Sequence, residues 1–254
     1  GAMTPRGETI DESWGNLIKG VSGIGPMTQV DPTGFPTSIA GEVRSFDPAT
    51  YIDAKEARRM ARFAQLGVAA ALRAAENAGL DASTIVSEES GVVLGNGNGG
   101  MPTTEEQAKV LFDRGGMKES PFFIPMVLPN MAAAQISRIL GLKGYTNTVI
   151  TACAAGTQAI GEGAEVIRRG TAKVVFAGGT EAGICQLSLG GFSVMRALST
   201  RNDEPQKAGR PFEANRDGFV PGEGAGILVL EEMEHAISRG VPILAEIVGY
   251  GVSS

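Results

Sequence analysis

The segment NTVITACAAGTQAIGEGAEVIRRG, residues 147–170, places one cysteine between a β-branched run and a helical pattern. Residues 146–152 are rich in Thr and Val, which predicts a buried strand, and residues 156–170 have the spacing of a helix that ends at Gly170. Cys153 lies at the turn between the two. A strand followed at once by a helix predicts a βα unit, whose helix packs on the sheet that the strand joins.

Strands and helices alternate along the rest of the chain. Further strands are predicted at 90–95, 173–182 and the start of 224–240, and helices at 10–20, 54–79, 103–116, 130–142 and the end of 224–240. Asp11 and Asn130 are predicted caps of the first and fourth of these helices. Residues 30–53 predict a loop with one edge strand, and residues 242–254 begin another strand. The alternation predicts one α/β unit with a mainly parallel sheet and flanking helices.

The composition excludes several classes of function. The 254 residues carry a formal net charge of −6, which argues against broad nucleic-acid binding. No apolar run reaches the length of a membrane span, so we expect no membrane partner. The chain has only two cysteines, too few for a disulfide framework or a metal site. These features predict a cytoplasmic protein in a reducing compartment.

The position of Cys153 suggests a nucleophile. The unpaired N–H groups and positive dipole end of a helix N-terminus favour a thiolate. Ala154, Ala155 and Gly156 leave space for a substrate, and the Cys153 N–H can contribute to an oxyanion hole. A buried structural cysteine fits the same spacing, so the pattern alone leaves both interpretations open. Cys185 has no such setting and is predicted to lie in the core.

Three other features need an interpretation. The run GNGNGG, residues 95–100, lacks the GxGxxG spacing and the acidic residue of a dinucleotide site. The run KEARRMARF, residues 55–63, is either a local basic patch or a solvated helix face. His235 is the only histidine, and its helix predicts a solvated or helix-capping role.

Several motifs together resemble the β-ketoacyl-[acyl-carrier-protein] synthases, in particular the elongating KAS II-like enzymes of the thiolase superfamily. They are TACAAGTQAIGEGAEVIRRG, AGGTEA, ALSTRND, RPFEANRDGFVPGEGAGILVLEE and SPFFIPMVLPNMAAAQIS, in the family's order. The resemblance covers the whole chain. It implies a thiolase-like fold, layered αβαβα, of which residues 1–243 are the N-terminal α/β half that carries the nucleophile. Residues 244–254 would begin the C-terminal half, whose remainder is missing from this sequence.

The resemblance also implies a reaction. Members of the family hold an acyl chain as a thioester on the residue that aligns with Cys153 and condense it with malonyl-carrier protein, releasing carbon dioxide. They use no cofactor and no metal. Two histidines, or a histidine and an asparagine, and a phenylalanine N–H complete the family's site from the second half. His235 aligns with none of them, so we expect the isolated chain to be incomplete for condensation.

Site residues follow from the same resemblance. Asn98, Phe123 and Met126 align with the acyl pocket, where relatives often carry a bulky aliphatic residue at position 98. A carrier-protein docking surface is implied at Lys55, Arg58, Arg59, Arg62, Lys118 and Arg196. The resemblance also implies paired, buried or half-buried framework charges that hold loops near the site and do not act as acid–base catalysts. They are Glu181, Arg210, Arg216 and Asp217. The expected partners are acyl- and malonyl-loaded carrier protein, the missing C-terminal half and a second copy in a homodimer.

Two other kinds of protein share the fold. A chain-length-factor-like subunit is a non-catalytic partner that lacks the active cysteine, and Gln in place of Cys153 would have favoured it. A thiolase relative that uses coenzyme A would carry a specific loop for that ligand. Cys153 and the surrounding motifs favour the carrier-protein enzymes, while the acyl length and the choice between fatty-acid and polyketide synthesis stay open.

Overall fold

A mixed five-stranded sheet forms the centre of the computed structural model, which describes residues 1–81 and 83–253. The strands of the chain are β1 (Ala2–Met3), β2 (Ile24–Pro26), β3 (Ile39–Gly41), β4 (Ser90–Gly95), β5 (Thr146–Val149), β6 (Val174–Ala182) and β7 (Glu223–Glu231). The central sheet has the order β1-β7-β6-β4-β5, while β2 and β3 pair separately. Because β7 is antiparallel to both of its neighbours, the other four strands share one direction, which confirms the mainly parallel sheet.

Helices cover both faces of this sheet. They are α1 (Ile10–Ile18), α2 (Ala54–Ala57), α3 (Arg62–Asn77), α4 (Met101–Arg114), α5 (Phe123–Val127), α6 (Met131–Leu140), α7 (Ala155–Arg168), α8 (Gln186–Val194) and α9 (Met233–Arg239). Helices α3 and α6 lie over one face and α7 over the other. Within the described ranges, no helix has the length and apolar content that a bilayer crossing requires.

The side chains of β4 and β6 alternate between two cores. Val92 and Leu94 enter the larger core with Phe176, under α3 and α6. Val93 and Val175 enter the smaller core under α7. Because side chains of a strand alternate faces, strands that are apolar throughout are the ones buried on both sides.

The helix predicted over residues 54–79 is broken in two. Asp53 caps α2 through bonds from the Lys55 and Glu56 N–H groups, and α3 begins only after Ala61, whose backbone is extended. The Gln65 amide donates to the carbonyls of Ala57 and Met60 at 2.8 and 3.2 Å. The Gln65 side chain thus bonds the Met60 carbonyl at the break and adds a second bond to the Ala57 carbonyl, which also accepts from the Met60 N–H at 3.1 Å.

The predicted cap of α1 was wrong, and the predicted cap of α6 is correct in position only. The Thr9 hydroxyl, and not Asp11, caps α1 by accepting from the Glu12 N–H at 3.1 Å. Asn130 stands at the cap position of α6 but makes no capping bond, because its own backbone is already helical at φ −75° and ψ −7°.

The strand predicted within residues 242–254 does not form. Residues 241–253 have no helix or strand, and Ser254 lies outside the described residues. The segment is held by side-chain contacts: Arg168 donates to the Ile247 carbonyl at 2.9 Å, and the Tyr250 hydroxyl donates to Glu162 at 3.2 Å. A strand needs a neighbouring strand to accept its backbone bonds, and this segment has none in the described chain. Its assignment to a second half stays a prediction.

Candidate active site

Cys153 lies in a tight turn between β5 and α7. The strand ends at Val149, earlier than the predicted residue 152, and residues Ala152–Ala154 form one turn of 3₁₀ helix before α7 begins at Ala155. Ala152 has a left-handed backbone with φ of 50°, which is uncommon for a residue with a Cβ. The Cys153 side chain is exposed and unbridged. The predicted placement of this thiol at the helix N-terminus is confirmed.

Two glycines of the sheet let α7 approach it closely. A Cβ on Gly95, the last residue of β4, would stand 2.2 Å from the Ala155 carbonyl carbon and 2.4 Å from the Gly156 nitrogen. A Cβ on Gly179 of β6 would stand 3.0 Å from the Gly156 Cα. Any side chain at Gly95 would therefore push the first turn of α7, and with it Cys153, away from the sheet.

The loop Asn96–Gly100, which we call the glycine loop, follows β4 at the same sheet edge. The Asn96 side chain fixes it by donating to the Thr180 carbonyl and accepting from the Gly99 N–H, both at 2.6 Å. The Gly100 N–H donates to the Val127 carbonyl at 3.0 Å. The loop thus connects the end of β6 to α5.

Glu181 lies beneath the glycine loop. Its Oε2 accepts from the Gly97 N–H at 2.9 Å and the Asn98 N–H at 3.2 Å, and its Oε1 accepts from the Ala182 N–H at 3.3 Å. Burial raises the pKa of this carboxyl, and the backbone N–H groups oppose that rise. The resemblance implies a paired framework charge that holds a loop at this position. Glu181 does bond the glycine loop, but its partners are backbone amides and not a cation.

The residues assigned to the acyl pocket lie around this loop. Asn98 is exposed at its tip, while Phe123 and Met126 are half-buried on α5, with Met126 packed against the larger core. Two surface cavities of about 440 and 580 Å³ lie beside α1 and beside Arg196, and none of these pocket residues nor Cys153 lines either one. The structure thus gathers Cys153, the glycine loop and α5 at one sheet edge, and the pocket itself stays a prediction.

Part of the predicted basic surface is present near α5. Lys55 and Arg58 are exposed on and after α2, and Lys118 is exposed before α5. The Arg59 guanidinium lies 4.6 Å from the ring centroid of Phe122 and 3.6 Å from Glu56. The contact with Phe122 joins the turn after α2 to the segment that carries Lys118.

Arg62 does not belong to this surface. Its guanidinium donates to buried Glu223 at 2.7 and 2.8 Å and to the Val43 carbonyl at 2.8 Å, and it lies 5.5 Å from the Phe46 ring centroid. Only 29% of the Arg62 side chain is exposed, against none for Glu223. Three bonds to a buried carboxylate and a carbonyl leave this guanidinium unavailable to a partner, so the structure corrects its assignment.

Arg196 lies apart from the other basic residues. It follows α8 with a left-handed backbone, φ 55°, and lines the 580 Å³ cavity together with Arg210 and Arg216. Arg210 donates to Asp217 at 3.0 Å, as expected for a framework pair. Arg216 is exposed and donates only to the Glu213 carbonyl, at 2.9 Å, so it is not a half-buried ion pair.

Asp217 anchors the segment around this cavity. It accepts from the Thr200 N–H at 2.9 Å and the Ser199 hydroxyl at 2.8 Å. These bonds, with that from Arg210, hold the pKa of the Asp217 carboxyl well below its usual range. The framework role predicted for Asp217 is therefore supported by its contacts.

Cys185 and His235 are not brought to Cys153 as further reactive groups. Cys185 is buried, as predicted, with its Sγ 3.4 Å from the Ser188 hydroxyl. His235 is half-buried, and its Nδ1 lies 2.6 Å from Glu231. Of the two roles expected for His235, the solvated one is therefore wrong. The capping role at α9 belongs to Glu232, whose side chain accepts from the His235 N–H at 3.1 Å. Among residues 1–81 and 83–253, no three His, Cys, Asp or Glu side chains group as a metal site requires.

Comparison with known proteins decides the family. Residues 1–236 match the family described as the N-terminal domain of β-ketoacyl synthases. The chain belongs to this family. The 3-oxoacyl-[acyl-carrier-protein] synthase 2 of Staphylococcus aureus is 47% identical over 253 residues, which are 100% of this chain and 62% of the relative. The chain therefore spans less than two thirds of the length of the curated relatives that it matches.

Solved structures agree on the fold. A β-ketoacyl synthase from Burkholderia phymatum STM815 superposes with a TM-score of 0.87 at 34% identity, over 98% of this chain and 61% of the other. A type II polyketide ketosynthase, solved in complex with its acyl-carrier protein, superposes with a TM-score of 0.75 at 26% identity, over 95% and 63%. Both place the chain in the thiolase-like class that its motifs implied.

Proposed function

We propose that this chain carries the nucleophile of a β-ketoacyl-[acyl-carrier-protein] synthase, and that Cys153 is the acyl acceptor. The Cys153 thiolate attacks the carbonyl carbon of an acyl-carrier thioester. A new C–S bond forms, the bond to the carrier sulfur breaks, and the carrier leaves as a thiolate that takes up a proton from water, which balances the proton lost from the Cys153 thiol. The observation that carries the proposal is the exposed Cys153 at the N-terminus of α7, held against the carboxyl ends of β4 and β6.

The local structure suits this step. Cys153 lies beside the N-terminal end of α7, whose unpaired N–H groups and positive dipole end favour a developing oxyanion. Open α/β sheets bind their ligands outside the carboxyl ends of parallel strands, where Cys153 and the glycine loop both lie. The acyl chain would then extend toward Asn98, Phe123 and Met126.

The acyl donor in this proposal is an acidic carrier protein. Lys55, Arg58 and Lys118 are exposed, with half-buried Arg59 beside them, in a chain whose net charge is −6. Arg196 is a further exposed basic residue apart from this basic group. Such rim charges raise the rate of association with a negatively charged partner. The relative solved with its acyl-carrier protein supports this choice of partner.

Condensation belongs to the whole enzyme in this proposal. Loss of carbon dioxide from malonyl-carrier protein generates a carbanion that attacks the acyl group on Cys153. Stabilising this carbanion needs side-chain donors that residues 1–81 and 83–253 do not supply at this edge. His235 is bound to Glu231 instead. A complementary C-terminal half, a homodimer, a cytoplasmic location and the absence of any cofactor remain parts of the proposal.

The alternatives explain less. A chain-length-factor-like subunit has no use for an exposed cysteine at this turn, and a coenzyme A-using relative does not account for the resemblance to carrier-protein enzymes. Cys153→Ser and Cys185→Ser variants test whether Cys153 is the acyl acceptor. With an acyl-carrier thioester as donor, Cys153→Ser should abolish stable acyl loading, while Cys185→Ser should keep it. Undiminished loading of Cys153→Ser would overturn the assignment.

A further inference from the structure

Glu181 is a half-buried carboxylate that the proposed reaction does not use. It stands at the carboxyl end of β6, the strand next to β4 in the sheet. Among the described residues it has no Lys, Arg or His ion-pair partner, and backbone N–H groups supply its bonds. A half-buried carboxylate without a cation is costly unless N–H donors stabilise it. Such a group therefore needs an explanation.

The bonds of Glu181 converge on the glycine loop. One oxygen, Oε2, accepts from two successive amides, those of Gly97 and Asn98. A Cβ on Gly97 would stand 2.9 Å from that oxygen, so glycine is the residue that permits the approach. Two charge-assisted bonds to one short segment fix both its height and its orientation above the sheet.

The glycine loop is in backbone contact with α5, so its position restricts the position of that helix. A Cβ on Gly99 would stand 2.3 Å from the Val127 carbonyl oxygen, and Gly99 itself has a φ of 59°. The Gly100 N–H bonds to the same carbonyl, and a Cβ on Gly100 would stand 2.9 Å from the Val127 Cα. Val127 ends the helix that carries Phe123 and Met126. A shift of the loop therefore moves α5.

We propose that Glu181 is a positioning residue that sets the acyl-chain-length selectivity of the site by holding the glycine loop against α5. This inference rests on the proposed function, because it concerns the pocket that receives the chain on Cys153. Glu181 contacts no reacting group in this account. It acts through Asn98 at the loop tip and through the two pocket residues on α5.

The experiment compares Glu181→Gln with the parent chain and with Glu105→Gln as a matched control. Glu105 is also half-buried and accepts a backbone N–H, that of Leu187 at 2.7 Å, but it serves the start of α8. Two reagent series react with Cys153: acyl-carrier thioesters of increasing chain length, and N-alkylmaleimides of increasing alkyl length. Circular dichroism and urea unfolding establish the folded fraction of each variant.

We expect Glu181→Gln to change the ratio of the long-chain to the short-chain reaction rate by about tenfold in both series. A displaced loop and α5 would alter the contact of the pocket with every added methylene of the chain. Faster amide exchange at residues 97 and 98 should accompany the change. Glu105→Gln should leave the ratio at the parent value, and Asn98→Leu, which adds bulk at the loop tip, should lower it. The last variant shows that the ratio responds to the pocket.

Two results would overturn the inference. One is an unchanged ratio in folded Glu181→Gln. The other is a parent chain whose maleimide reaction does not depend on alkyl length. Failure of the proposed function looks different: thioesters would not load Cys153 at any length, while the maleimide ratio would still shift in Glu181→Gln. If Glu181→Gln does not fold, Gly97→Ala tests the same contact, since its Cβ displaces the carboxylate and should shift the ratio in the same direction.

Discussion

Gly95 and Gly156 bring the end of strand β4 into backbone contact with the first turn of helix α7. A Cβ on Gly95 would stand 2.4 Å from the Gly156 nitrogen, closer than any normal contact. Cys153 lies just before this turn, so its position relative to the sheet depends on the absence of a side chain at Gly95.

Gly95→Ala should therefore displace the nucleophile. We expect a loss of about 1–3 kcal/mol in the free energy of unfolding, since backbone must move to admit the methyl group. Urea unfolding measures this loss, and the alkylation rate of Cys153 reports its displacement. Gly15→Ala on α1, where a Cβ meets nothing within 4 Å, should instead be neutral or stabilise by about 0.5–1 kcal/mol. Equal stability of Gly95→Ala and the parent would refute the contact.

Arg62 should act through stability and not through docking. Arg62→Ala leaves the Glu223 carboxylate buried without its cation, which we expect to cost about 3–5 kcal/mol in unfolding free energy. Arg58→Ala, at an exposed position four residues earlier, should change stability by no more than about 0.5 kcal/mol. Chemical denaturation of the two variants is the measurement. Similar small losses of unfolding free energy in both variants would contradict the buried role of Arg62 and favour its assignment to the exposed basic group.

The basic group after α2 should control the rate of carrier-protein association. Lys55→Glu with Arg58→Glu should slow acyl loading from a carrier-protein donor by about tenfold at low salt and by less at high salt. Loading from a small acyl thioester without a carrier should be unaffected, which serves as the control for folding. An equal loss with both donors would indicate misfolding and contradict the docking role.

Asp217 should make the protein sensitive to acid. Its pKa is held below the unfolded value by the Thr200 N–H, the Ser199 hydroxyl and Arg210, so its contribution to stability is present above the unfolded pKa and is lost as the pH falls. Between about pH 4 and pH 2, the parent should lose this contribution. Asp217→Asn should be less stable at pH 6 and should approach the parent at low pH. Thermal unfolding across this range, with exposed Asp113→Asn as the control, measures it, and parallel curves would argue against it.

The sequence predicted the elements that carry the site because their patterns are local. β-Branched residues predict the strand Thr146–Val149, and apolar residues at helical spacing predict the helix behind Cys153. The left-handed backbone at Ala152 had no such signal, since alanine rarely adopts it. The contacts of Gly95 and Gly179 with α7 depend on how distant segments meet, which no single stretch reveals.

The wrong predictions for the helix over residues 54–79 and for Arg62 also arise from contacts between distant segments. The residues after Asp53 have high helix propensity throughout, so nothing in them predicts a break before Arg62; the break follows from tertiary contacts of Arg62 and Gln65. Charge alone placed Arg62 on a basic patch, whereas its partner Glu223 lies 161 residues away. The bonds of Glu181 to the glycine loop also span more than 80 residues.

The central claim is that Cys153 accepts an acyl group, and one measurement tests it most directly. The chain is incubated with an acyl-carrier-protein thioester, and intact mass followed by peptide mapping locates any adduct. The account predicts one acyl group per chain on the peptide that contains Cys153 and none on the peptide that contains buried Cys185. An adduct on another residue, or none in a folded chain, would contradict it.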